Sequence, residues 1–152
     1  MSISAQFGLI GYPLGHSFSK KYFTEKFAEL ALSESHSYEQ FPISSIDELP
    51  ALFAEYSNTL RGLNVTIPYK QQVIPYLDEI DPAAERIGAV NTIKILPNGR
   101  KIGFNSDYWG FRRTVEQWPA FENFRSKKAL VLGQGGAAKA VIVALQDLGM
   151  EV

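Results

Sequence analysis

The apolar residues of this chain change their spacing several times, and each change marks an element. Residues 6–10 form a short apolar run closed by Gly11, Pro13 and Gly15, the pattern of a buried strand entering an ordered turn. Beyond Ser17 and Ser19, both residues that cap helices, Phe23, Phe27, Leu30 and Ala31 recur at helical spacing and predict a helix ending near Ser33. Residues 38–43 read as a second strand. Ser45, with Glu48 three residues on, makes a capping box for a helix carrying Ile46, Leu49, Phe53 and Tyr56. Pro50 suits that helix if the cap lies nearer Asp47, which places the proline in the first turn.

Residues 60–67 read as a third strand, and Pro68 sits at the first position of a predicted helix with Lys70 on its opening turn. Asp81-Pro82 opens another helix by the same signal. Residues 90–96 and 101–104 flank Pro97-Asn98-Gly99, a hairpin whose turn needs positive φ at Asn or Gly. Asp107 then caps a helix running towards Trp118. Alternating strands and helices predict an α/β fold with a mostly parallel sheet, to which the terminal hairpin adds antiparallel strands.

A polar stretch at 119–128 precedes a second pattern: an apolar run at 129–132, then Gly133-Gln134-Gly135-Gly136, then a helical run at 138–148 stopped by Gly149. One strand and one helix cannot close a core. They read as the first strand, turn and helix of an incomplete Rossmann-type domain. The expected division is 1–106 for the first domain, and 107–152 for a connecting helix and the truncated start of a dinucleotide-binding domain.

Composition narrows the function classes. Apolar residues make up 45% of the chain and charged residues 20%, which excludes a disordered chain. Fifteen Lys and Arg against sixteen Asp and Glu, interspersed, leave no basic stripe for nucleic acid. The absence of cysteine removes disulfides, thiolate nucleophiles and Cys-ligated zinc, and two lone histidines make a poor metal site, so no metal is expected. No secretory pattern opens the chain, and no apolar run reaches the roughly 18 residues of a membrane span. The expectation is a soluble cytoplasmic protein.

Three places can carry chemistry. Gly133, Gly135 and Ala138 fit G-x-G-x-x-A after a predicted strand and at a helix start, where backbone can approach a pyrophosphate; a glycine turn that binds nothing has the same letters. The residue that reads the ribose 2′ position falls about 20 residues on, at or past Val152, so spacing does not choose between NAD and NADP. The loop at 11–19 puts His16, Ser17 and Ser19 at the carboxyl end of a strand, where open α/β sheets bind ligands. Both hydroxyls can donate to a carboxylate, although helix capping is the commoner use of that spacing. His16 reads as a loop hydrogen-bonder and His36 as a surface residue. Asn64 to Lys70 again sets polar groups at a strand end, with an amine beyond them. Such a lysine becomes an acid/base when burial or a neighbouring cation tunes it, whereas most lysines are simply solvated. Asp107 can orient that amine while capping its helix.

In this order the pieces resemble one family, the shikimate dehydrogenases. The motifs are Gly11-Tyr12-Pro13-Leu14-Gly15-His16-Ser17-Phe18-Ser19, residues 64–70, Gly88-Ala89-Val90-Asn91-Thr92, Gly103-Phe104-Asn105-Ser106-Asp107, and residues 131–137. The resemblance implies a two-domain α/β enzyme, monomeric or homodimeric, that reduces 3-dehydroshikimate to shikimate with NADPH in aromatic amino-acid (chorismate) biosynthesis. By it, residues 1–106 are the shikimate-binding catalytic domain. Ser17 and Ser19 would bind the substrate carboxylate, and Asn64, Thr66, Asn91 and Asp107 the ring hydroxyls or groups around them. Lys70 and Asp107 would be the catalytic pair, and Gly133, Gly135, Gly136 and Ala137 would hold NADP. The chain departs from the family's Ser-Pro-x-x-His-Asn with Ser19-Lys20-Lys21-Tyr22-Phe23-Thr24, has Ser106 for a threonine, and has Gln134 for a small residue. Most of the family's cofactor domain is missing, so the 152 residues alone are expected to be inactive. A quinate or dual-specificity dehydrogenase of the same family, and a non-catalytic small-molecule-binding module, are the alternatives.

Overall fold

The computed structural model describes residues 3–15 and 17–152; His16 lies outside them. Strand β1 (Ala5–Gly11) runs between β2 (His36–Pro42) and β3 (Leu60–Val65), parallel to both. Alternation along β1 sends successive side chains to opposite faces. Phe7 and Leu9 meet Tyr38 and the Phe23 and Phe27 rings of α1 (Ser19–Glu29), whereas Ile10 packs with Leu49 and Leu52 of α2 (Leu49–Glu55), Leu60 and Ile93. The sheet therefore has a helix on each face, the arrangement a largely apolar central strand requires.

After β3 come the short β4 (Glu79–Ile80), α3 (Pro82–Ile87), β5 (Thr92–Ile95) and β6 (Lys101–Phe104). Among the described residues the sheet has six strands in the order β2-β1-β3-β5-β6-β4. The β3–β5 and β5–β6 pairs are antiparallel and β4–β6 is parallel. The predicted hairpin is present, with Gly99 at φ 82° in its turn. Helices α4 (Ser106–Glu116) and α5 (Gly136–Asp147) form a second apolar cluster with α3, in which Ile87, Ala89, Tyr108, Ala140 and Ala144 are buried.

The Ser45–Glu48 box is formed, but over a 3₁₀ turn, Ile46–Glu48, from which α2 continues with Pro50 in its first turn. Helix α1 stops at Glu29, short of Ser33, because Ala31 turns into the left-handed region at φ 56°. The helix expected from Pro68 is absent: residues 67–73 are turns, followed by a 3₁₀ turn Ile74–Tyr76. Pro75 would limit any helix here to about seven residues, since it has no N–H for Gln71 and its ring would collide with that carbonyl in a continuing helix. The strand expected at 129–132 is absent too. Among the described residues only the Lys128–Glu151 bridge forms there, and Leu130 and Leu132 lie exposed.

Candidate active site

The topology brings four chain ends to one edge of the sheet. Because β5 runs antiparallel to β3, and β6 to β5, the carboxyl ends of β1, β3 and β6 meet the start of β5. A cavity of about 680 Å³ opens there, and Ser17, Ser19, Asn64, Thr66, Lys70, Asn91, Ser106 and Asp107 all contribute to its wall. All seven residues expected to bind or transform substrate are therefore together. This is the position where open α/β sheets receive ligands.

Asn91 organises the centre. Its Oδ1 accepts the backbone N–H of Ser106 at 2.8 Å, the Ser106 hydroxyl at 3.1 Å and the Thr92 hydroxyl at 3.0 Å. A backbone N–H can only donate, so this contact fixes the amide's orientation and leaves its nitrogen to a ligand. The backbone of Asn91 joins the flanking strands, donating to Phe104 O at 3.0 Å and accepting from Val65 N–H at 2.8 Å. Asn64 is held similarly: its Oδ1 accepts the Tyr38 hydroxyl at 2.8 Å and its Nδ2 approaches Thr92 Oγ1 at 3.4 Å. Both amides thus offer N–H groups, which suits a ligand rich in hydroxyl or carboxylate oxygen. Burial pushes the Tyr38 phenol up to about 12, with a smaller opposing pull from the Ser19 hydroxyl.

Neither serine of the first loop occupies the helix cap. Phe18 holds that position and makes no side-chain cap bond, Ser19 begins α1, and the Ser17 hydroxyl accepts the Ser19 N–H at 3.3 Å. Phe23, standing where a histidine was expected, stacks on Tyr38 at 4.6 Å and lines the cavity.

Lys70 and Asp107, 37 residues apart, meet across the cavity wall with Nζ 2.6 Å from Oδ2. The Lys70 side chain is 17% exposed and that of Asp107 36%. Lys70 is fixed at its backbone, where its carbonyl accepts the Val90 N–H at 2.7 Å. Asp107 is not the cap of α4, as its place in the sequence suggested. Asn105, fully buried, takes that role by accepting the Tyr108 N–H at 3.1 Å and donating to Ala89 O at 2.9 Å. Asp107 is freed to face Lys70 from the first turn, where the helix dipole favours its charge.

Gly133, Gly135, Gly136 and Ala137 lie outside this cavity, at the turn into α5. Gly133 has φ 126°, which side-chain-bearing residues rarely adopt. A Cβ on Gly135 would meet nothing within 4 Å, and no side chain caps α5, so the first N–H groups of that helix are open to an anion such as a dinucleotide diphosphate. Three contributors had escaped the sequence reading: Tyr38, Thr92 and the Asn105 cap. Asn105 had a signal, an Asn three residues before Tyr108 at a helix start. Tyr38 and Thr92 act through pairings between strands, which no local pattern reveals.

A family model described as the shikimate dehydrogenase substrate binding domain matches residues 9–93. The chain is 41% identical over 143 residues to the shikimate dehydrogenase (NADP(+)) of Desulforamulus reducens, covering 94% of this chain and 48% of that protein. In structure it is similar to shikimate dehydrogenase 1 of Peptoclostridium difficile, with TM-score 0.83, 38% identity, and coverage of 97% of this chain and 54% of the other. It is also similar to the Thermus thermophilus shikimate 5-dehydrogenase in complex with NADP(H) and shikimate, with TM-score 0.79, 34% identity, and coverage of 97% and 54%. The chain spans about half the length of the curated relatives it matches.

Proposed function

From the chain's membership of the shikimate dehydrogenase family, through its substrate-binding domain, we propose that it supplies the shikimate site and the acid/base pair of an NADP-dependent shikimate dehydrogenase. Residues 1–106 form the substrate domain in this reading, and 107–152 the connecting helix and the start of the dinucleotide-binding domain. One observation carries it: the Lys70–Asp107 pair, 2.6 Å apart, stands in the wall of a cavity lined by every expected substrate-binding residue.

Ser17 and Ser19 would donate to the substrate carboxylate, and the amide nitrogens of Asn64 and Asn91, with Thr66, would take the ring hydroxyls. NADPH, when bound, supplies the hydride that reduces the C3 carbonyl. Negative charge then grows on the carbonyl oxygen, where the Lys70 ammonium stabilises it and gives up a proton. Asp107, the more exposed partner, holds Nζ in place and relays the replacement proton from solvent. Gly133, Gly135, Gly136 and Ala137 would hold the diphosphate of the cofactor.

The test is expression of the chain together with the coding sequence that follows it, with NADP-dependent oxidation of shikimate as the assay. Lys70→Ala and Asp107→Ala are each expected to lower kcat by about a hundredfold or more, with KM for shikimate little changed. A rise in KM at unchanged kcat would assign both residues to binding alone. The 152 residues by themselves are expected to show no turnover.

A further inference from the structure

Lys70 is fixed at both ends, by Val90 N–H at its carbonyl and by Asp107 at its ammonium. Its stem meets a third group, the first residue of α5. A Cβ built on Gly136 would stand 3.1 Å from Lys70 Cδ, 3.2 Å from Lys70 Cβ and 3.4 Å from Ala89 Cβ. Carbon atoms pack best at about 3.5–4.0 Å, so a methyl group there would force either the lysine or the helix to move. The far end of the helix is anchored. Asp147 near its end accepts both Arg86 nitrogens, at 2.7 and 3.2 Å, and the Tyr108 hydroxyl at 2.6 Å. Backbone freedom does not explain this glycine, because the positive-φ glycines are Gly88, Gly99, Gly133 and Gly149.

We propose that Gly136 is a positioning residue for Lys70: its bare Cα is the wall that keeps the lysine stem directed at Asp107. The turn proposed to receive the cofactor diphosphate then also sets the acid/base amine. The inference rests on the reading of Lys70 given above, and its test reads the lysine without using turnover, so the two can fail separately.

Alanine is a better helix residue than glycine, so Gly136→Ala should stabilise α5 unless the lysine is in its way. A double-mutant cycle on the chain, followed by thermal unfolding, separates these effects. Gly136→Ala is expected to lower Tm when Lys70 is present and to raise it in the Lys70→Gly background, which removes both Cβ and Cδ of the lysine from the contact. Additive shifts would overturn the proposal. If Gly136→Ala does not fold, recovery of folding in the double variant supports it, and failure of both overturns it. Acetylation of individual lysines, followed by peptide mass spectrometry, gives the second readout. Lys70 in Gly136→Ala is expected to react severalfold faster, at the rate seen in Asp107→Asn, and at the wild-type rate in Gly110→Ala, where an added Cβ meets nothing within 4 Å. An unchanged Lys70 rate in a folded Gly136→Ala would defeat the idea.

Discussion

The Oδ1 atom of Asn91 gathers three donors from two chain segments, and its amide nitrogen is what remains for a ligand. Asn91→Asp keeps the three accepted bonds and exchanges that donor for an acceptor. The fold is expected to survive while shikimate affinity, measured by titration calorimetry, falls about tenfold or more. Tyr38 acts one step further out, through Asn64. Tyr38→Phe removes a hydrogen bond and is expected to cost about 1 kcal/mol of stability. It also alters the alkaline limb. With the folded phenol at about 12 and the ordinary tyrosine value at 10.0, the unfolded chain loses its proton first. Tyr38 therefore contributes stability that is complete below pH 10 and is lost as pH rises towards 12. Urea unfolding across that window should decline more steeply for wild type than for Tyr38→Phe. Little of this was legible in the sequence. Its motifs named the seven residues of the cavity through a family resemblance, but the 37 positions separating Lys70 from Asp107 carry no distance. Their meeting depends on the reversals at β5 and β6.

Elements followed local chemistry wherever that chemistry was self-contained. Asp81 before Pro82 caps α3 as its letters indicate, accepting from Ala83 and Ala84 N–H at 3.0 and 3.4 Å, and Gly88 closes the helix at φ 67°. Asp81→Ala is expected to cost about 1 kcal/mol in urea unfolding. Where two signals competed, the sequence pattern failed. Pro68 announces a helix that Pro75 leaves little room for, and Asp107 looks like a cap only until Asn105, two residues earlier, takes the role. The run at 129–132 had the composition of a strand, but ladder hydrogen bonds depend on a neighbour, and among the described residues only Lys128 and Glu151 bridge there. Gly110 offers a test of α4. It lies exposed within the helix, and a Cβ there would meet no atom within 4 Å. Gly110→Ala should raise stability by about 0.5–1 kcal/mol.

Across the whole molecule, α5 is joined to the remainder by a polar cluster as well as by its small apolar face. Arg86 and Tyr108 both donate to Asp147, and together they hold its carboxyl below the usual carboxylate range, Arg86 contributing most. A carboxyl lowered by folding adds stability above its unfolded value of 3.8, and that stability disappears as pH falls through the lowered folded value. Below pH 4, Asp147→Asn should lose less stability on acidification than wild type, as read by the urea midpoint at each pH. The sheet, by contrast, depends on nothing so distant. Among the described residues every pairing within the six-stranded sheet lies between Ala5 and Phe104, and the last groups of the cavity wall, Ser106 and Asp107, follow at once. On a ribosome adding about 5–20 residues per second, every residue of this pocket would be translated before the glycine turn. Vectorial synthesis would deliver the residues of the proposed substrate seat first and the proposed cofactor turn after them.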